Sequence, residues 1–199
     1  MNKFFHAVAL SAALTAVAPL AQAQATTVLT FDDIGAGGAV PTNYGGLDWS
    51  AAGWSYYDGE QAPYTPHSGS FRAALGWYDD SDAAAGQASS AVHFGSASVF
   101  NGAFFSGLQG ATVSFDLYFG GNKVWSSATL DPSATPTFLA SGYTGLVDEV
   151  VLRGPALYAA TMDDFTFTAA AVPEPTSYAL LIAGLGAVGF VVRRRKAQA

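Results

Sequence analysis

The chain has 199 residues, half of them hydrophobic, no cysteine, and 15 acidic against 8 basic side chains, for a net charge of −7. That sign excludes nucleic-acid binding and adhesion to anionic lipid surfaces, both of which require a cationic footprint. Without cysteine, neither disulfides nor thiolate chemistry can contribute, so stability must come from core packing or a bound ion.

Residues 1–25 read as a cleavable signal peptide. Lys3 supplies the positive start and residues 4–17 form an apolar, alanine-rich run. Ala21-Gln22-Ala23 and Ala23-Gln24-Ala25 both offer a small-x-small site for signal peptidase. Pro19 and the glutamines interrupt the run before it reaches the ~20 residues of a permanent span.

Residues 26–171 are long enough for one domain with a real core. Their only basic side chains are Arg72, Lys123 and Arg153, whereas they hold every carboxylate of the chain except Glu174. Short β-type runs between turn residues predict an all-β sandwich. A first strand is expected over 26–31, followed at once by Asp32-Asp33. Five glycines, Pro41 and Asn43 make 34–49 a long irregular loop. Residues 51–90 read as loop too, broken by Pro63, Pro66 and Gly69. Strands are expected at 91–94 and 98–105. The clearest is 111–119, where Val113, Phe115, Leu117 and Phe119 alternate with Thr112, Ser114, Asp116 and Tyr118. Gly120-Gly121-Asn122 turns the chain into a second hairpin arm over 123–130. Residues 131–137 form an edge crossing, and 146–153 and 162–168 are the last two strands.

The tail, residues 172–199, has three parts. Pro173-Glu174-Pro175 is a stiff break, 176–192 is a charge-free apolar run, and Arg193-Arg194-Arg195-Lys196 is a cationic stop. The run predicts a single transmembrane helix at the lower length limit, with the basic cluster inside and the body outside. This ordered set resembles the PEP-CTERM sorting signal of exported bacterial proteins. The resemblance implies that an exosortase handles the protein, anchored briefly in the inner membrane and then passed to the cell surface or the extracellular space.

The body in turn resembles the jelly-roll ectodomains of such proteins, which share their architecture with carbohydrate-binding modules. The resemblance rests on Thr30-Phe31-Asp32-Asp33, Tyr44-Gly45-Gly46-Leu47-Asp48-Trp49, the Tyr118–Gly121 hairpin and Met162-Asp163-Asp164-Phe165. It implies that the first and last strands lie side by side, bringing Asp32 and Asp33 near Asp163 and Asp164. Crowded carboxylates repel unless a cation sits among them. One structural Ca²⁺ is therefore expected there, with Asp32 and Asp163 as direct ligands; the other reading has these aspartates capping turns. Asp79-Asp80-Ser81-Asp82 lacks the glycine and distal glutamate of an EF-hand and reads as a solvated loop.

Trp54, Tyr56, Tyr57 and Trp77 are the candidates for exposed, sugar-stacking aromatics, while Trp49 is assigned to the core. The alternative is that all of them pack loops onto the sheet. His67 and His93 lack any partner at helical metal-site spacing, and Ser68-Gly69-Ser70 lacks a nucleophile-elbow setting. The expectation is a non-catalytic surface, extracellular-matrix or biofilm protein that binds polysaccharide or serves structurally. The alternative is a secreted polysaccharide hydrolase, which needs two carboxylates facing each other across a cleft.

Overall fold

A computed structural model describes residues 25–50, 53–59, 61–75, 89–155, 159–170 and 175–196. The signal-peptide segment 1–24, Trp77, the acidic run 79–82, Pro173 and Glu174 lie outside the described residues. The chain divides into two compact units, residues 24–171 and a terminal unit that includes the C-terminal helix.

Eleven strands form the described part of the body: β1 (Thr26–Leu29), β2 (Gly38–Ala39), β3 (Leu47–Asp48), β4 (Trp54–Tyr57), β5 (Arg72–Leu75), β6 (Ser89–Gly107), β7 (Ser114–Phe119), β8 (Asn122–Ser126), β9 (Thr137–Ala140), β10 (Val147–Arg153) and β11 (Ala160–Ala169). The main path runs β2-β4-β5-β11-β6-β10-β7-β8, with β1 on β11 and both β3 and β9 on β6. Every pairing is antiparallel.

The organising element is β6, 19 residues long. The first part of β6 pairs with β10, from Arg153 opposite Ser89 to Val147 opposite Ser98. Its second part pairs with β11, from Ala169 opposite Ser98 to Ala160 opposite Gly107. The two strands expected at 91–94 and 98–105 are thus one, because Gly95 and Ser96 continue the extended backbone between them. Its inward residues Val92, Phe94, Phe100, Ala103 and Phe105 are all buried.

Around β6 the core is aromatic. Phe100 meets Phe115 edge-on at 4.8 Å and Phe165 at 4.7 Å. Trp49 meets Phe165 at 5.5 Å and Trp54 at 5.7 Å, both edge-on. Such pairs add about 0.5–1.5 kcal/mol each beyond the area they bury.

The expected first strand, last two strands and central hairpin are all present. Gly120 and Gly121 have φ of 58° and 75°, the left-handed pair that a two-residue hairpin turn demands. Val113, Phe115 and Leu117 face the core as their alternation predicts. Phe119 does not; it is 44% exposed, because as the last residue before the turn it lies beyond the edge of the core. The larger correction concerns 51–90, which contains β4 and β5 rather than loop alone. Trp54, Ser55 and Tyr56 are buried, as are all four residues of β5, so neither strand shows the polar–apolar alternation that marks a half-buried one.

The terminal unit contains an α-helix, α1 (Pro175–Lys196), in which Leu180, Ile182, Leu185 and Phe190 are exposed. Among the described residues no helix is long and apolar enough to cross a membrane. The charge-free stretch 176–192 covers only about 25 Å at ~1.5 Å per residue, against ~30 Å of hydrocarbon. Gly184, Gly186 and Gly189 lower its apolarity further.

Gly102 marks where β6 is most constrained. Its φ is +143°, and a Cβ there would collide with the carbonyl oxygen of Leu139 on β9. Gly102→Ala should destabilise the protein by about 2 kcal/mol or more, combining strained backbone with a backbone clash. Urea unfolding measures this, and a loss below about 0.5 kcal/mol would mean β9 moves aside freely.

Candidate functional site

Both acidic pairs sit at strained backbone. Phe31 and Asp164 are the non-glycine residues with positive φ, 62° and 48°, among the described residues. Strain of this kind costs on the order of 1–3 kcal/mol and persists only when neighbouring bonds enforce it. At Phe31 the enforcing group is Tyr44, whose hydroxyl accepts the Phe31 N–H at 3.0 Å and donates to Asp33 Oδ1 at 2.7 Å. Burial, reinforced by the Asp33 carboxylate, holds the Tyr44 hydroxyl pKa well above its ordinary value.

β1 does pair with β11, Leu29 opposite Phe165, so the two acidic pairs flank one region as expected. What lies between them is the segment 67–71 leading into β5. Asp32 Oδ1 accepts the N–H groups of Ser70 (2.8 Å) and Phe71 (3.0 Å). Asp163 Oδ2 accepts those of His67 (2.7 Å) and Ser68 (2.9 Å), while Asp163 Oδ1 accepts the Asp164 N–H at 2.7 Å. Asp164 receives the Ser68 hydroxyl at 2.7 Å and lies 2.6 Å from His67 Nδ1. Gly69 is required here, since any Cβ would strike the Asp32 carboxylate. Three of the four aspartates therefore serve as acceptors for one segment, and Asp33 turns to Tyr44. No group of three or more His, Cys, Asp or Glu side chains that could hold a metal ion occurs among the described residues.

Ser68, His67 and Asp164 have the composition of a hydrolytic triad but not its wiring. Ser68 Oγ donates to Asp164 rather than to the imidazole, so the serine–histidine hydrogen bond of a triad is not made. The His67 ring instead stacks on Phe104, centroids 3.3 Å apart.

Of the three described aromatics expected at the surface, two are interior. Trp54 and Tyr56 are buried, against Trp49 and Phe71 respectively, so neither offers a face to a ligand. Tyr57 is partly buried with the Arg72 guanidinium 4.2 Å over its ring. Arg72 is fully buried, and its Nη1 donates to the Ser70 carbonyl at 3.4 Å. Trp49 is in the core as expected. Exposed aromatics occur elsewhere, at Trp125, stacked on Tyr143 at 6.0 Å, and at Phe138, packed on Phe104.

An open concavity among the described residues lies on another part of the sheet. A groove of about 690 Å³ is lined by Thr42, Asn43, Asp48, Ser50 and His93, and backed by Leu47 and Phe94, whose side chains are buried in the core. Asp48 and His93 are cross-strand partners, and His93 is also opposite Glu149. Glu149 faces Tyr118, which faces Lys123. Directly opposed residues share a sheet face, so a polar row of about 19 Å crosses five strands at ~4.8 Å spacing. Sequence reading missed it because His93 is isolated along the chain and gains neighbours only through strand register. Hydrogen bonds from the Ser50 hydroxyl and N–H hold the Asp48 carboxyl below its usual range, and His93 adds to this. At the far end Asp116 binds Arg153 at 2.9 Å, Lys123 at 3.5 Å and the Ser126 hydroxyl at 2.6 Å. Burial raises the Asp116 pKa, but these partners outweigh it and leave the pKa low.

Comparison with known families bears on the tail. A family profile described as the PEP-CTERM protein-sorting motif matches residues 171–196. This chain carries a PEP-CTERM sorting motif. The motif implies an exported protein, recognised by an exosortase and anchored transiently in the membrane. No curated protein matches the chain. The cationic end of the motif is solvent-facing, with Arg193, Arg194 and Arg195 exposed; the side chain of Lys196 is outside the described set.

Asp163 makes the loop anchor pH-sensitive. Burial, with the adjacent Asp164 carboxylate, pushes its pKa up to about 7 against three N–H donors that favour the ionised form. The unfolded chain releases this proton near 3.8, so the associated stability is full below that pH and is lost as pH rises through about 7. Urea midpoints from pH 4 to 8 should fall with rising pH, and Asp163→Asn should flatten that slope while lowering stability at the acid end. An unchanged slope in the variant would place the titration elsewhere. If the aspartates serve as loop anchors, a chelator should leave the melting temperature unaltered; a drop of several degrees would restore the calcium reading.

Proposed function

We propose that the chain is a cell-surface or extracellular-matrix protein whose body is a non-catalytic, jelly-roll-like module that holds a polysaccharide in the Asp48–His93 groove. The signal peptide and signal peptidase start its export, and the sorting tail anchors it transiently until an exosortase acts at Pro173-Glu174-Pro175. The groove is the observation that carries the reading. A rim of hydroxyl, amide, imidazole and carboxylate groups from Thr42, Asn43, Ser50, His93 and Asp48 suits the hydroxyl edges of sugars.

The hydrolase alternative has a pair of carboxylates available, Asp48 and Glu149, two strand spacings apart with His93 between them. A glycosidase also requires one of the pair to stay protonated as general acid, with a raised pKa. Asp48, held below its usual range, fits only the base or nucleophile of such a pair. In place of a calcium site, we read Asp32, Asp33, Asp163 and Asp164 as anchors of strained loops, because N–H and O–H donors occupy their oxygens.

Two measurements test this. In an exosortase-bearing host the parent should lose its tail and reach the surface, while replacing Pro173, Glu174 and Pro175 with alanine should leave it uncut in the membrane fraction. Equal processing of both would sink the sorting half of the reading. On a glycan array the full chain should bind a defined polysaccharide class, and Asn43→Trp, which fills the groove, should weaken binding roughly tenfold or more. Binding unaffected by that substitution would move the site off the groove.

A further inference from the structure

Resting on the groove reading, we propose that the groove's ligand is an amine-bearing polysaccharide, a glucosamine polymer at least partly free of N-acetyl groups, whose ammonium groups pair with Asp48 and Glu149.

The argument is one of charge. Residues 26–171 carry fourteen carboxylates, fifteen less Glu174, against three cations, so the body repels polyanions such as uronate polymers. Of those cations Arg72 is fully buried, and Lys123, the last member of the polar row, and Arg153, which reaches Tyr118 at 3.4 Å, are both tied to Asp116 at the end away from the groove. None of them lines the groove. The fixed charge at the groove is Asp48, kept ionised by Ser50, with its remaining oxygen lone pairs facing solvent. Glu149 continues the same face past His93, about 10 Å from Asp48 at two strand spacings. That is close to the length of two sugar residues, so ammonium groups on a chain crossing the strands reach both carboxylates. The hydroxyls of a neutral polymer can donate to Asp48, but an ammonium adds the attraction of opposite charges to the same hydrogen bond.

Titration calorimetry on the full chain in detergent tests this with three oligosaccharides of equal length: a fully deacetylated glucosamine oligomer, its N-acetylated counterpart and an oligo-uronate. The glucosamine oligomer should bind roughly three- to tenfold more tightly than the acetylated one, the uronate weakest, and the advantage should shrink as salt rises. Asp48→Asn should abolish most of the advantage while changing affinity for the acetylated oligomer less than about twofold. Glu149→Gln, on a separate strand, should reduce the advantage in part. Equal affinity for the two amino sugars, preference for the uronate, or an advantage surviving both substitutions overturns the charge inference and leaves the groove reading standing. No binding of any oligomer, or binding indifferent to Asn43→Trp, overturns the groove reading itself.

Discussion

The body depends on one strand being shared. β6 carries β10 along its first part and β11 along its second, and both sets of hydrogen bonds meet at Ser98. β3 and β9 take the remaining edges at 93–94 and 102–105. Nearly every other strand is positioned by its distance from this axis. The close approaches at Gly102 and Gly107, where Cβ atoms would meet the backbone of β9 and the start of β11, show how little room the arrangement leaves. A sheet assembled this way is dominated by long-range contacts, so its loop-closure cost is repaid only once β6 has both partners.

The second constraint is the anchoring of 67–71. That segment has no regular hydrogen bonding of its own, and its backbone donors would be costly to leave unpaired near the core. Asp32 and Asp163 reach it from the two paired terminal strands and satisfy four N–H groups. Positive φ at Phe31 and Asp164 orients the acids for that task. The candidate ligand surface then falls on the β3–β6–β10 face, which the anchors stabilise only indirectly.

The sorting tail and the body carry opposite charges. The tail concentrates cations behind an apolar helix, as a membrane-directed sorting motif requires. The body keeps its few cations buried or neutralised and turns carboxylates outward. A surface of that sign repels polyanions.

Some of this was legible from the residues alone. The sorting motif is contiguous, so order and composition suffice to identify it. The β7–β8 hairpin is equally local, since a strict period of two and a Gly-Gly turn specify it without help from distant residues. The adjacency of the two acidic pairs followed from resemblance and held in the β1–β11 pairing. What only tertiary structure decided is everything that depends on register and on which face is covered. Trp54 and Tyr56 look like surface aromatics in a glycine-rich stretch, yet burial of both faces of β4 and β5 removes the alternation that would have assigned them. Asp48, His93 and Glu149 are scattered through the chain and share a face only because three strands align at those residues. Local pattern encodes local geometry; a site made of cross-strand neighbours exists only once the sheet has chosen its pairing.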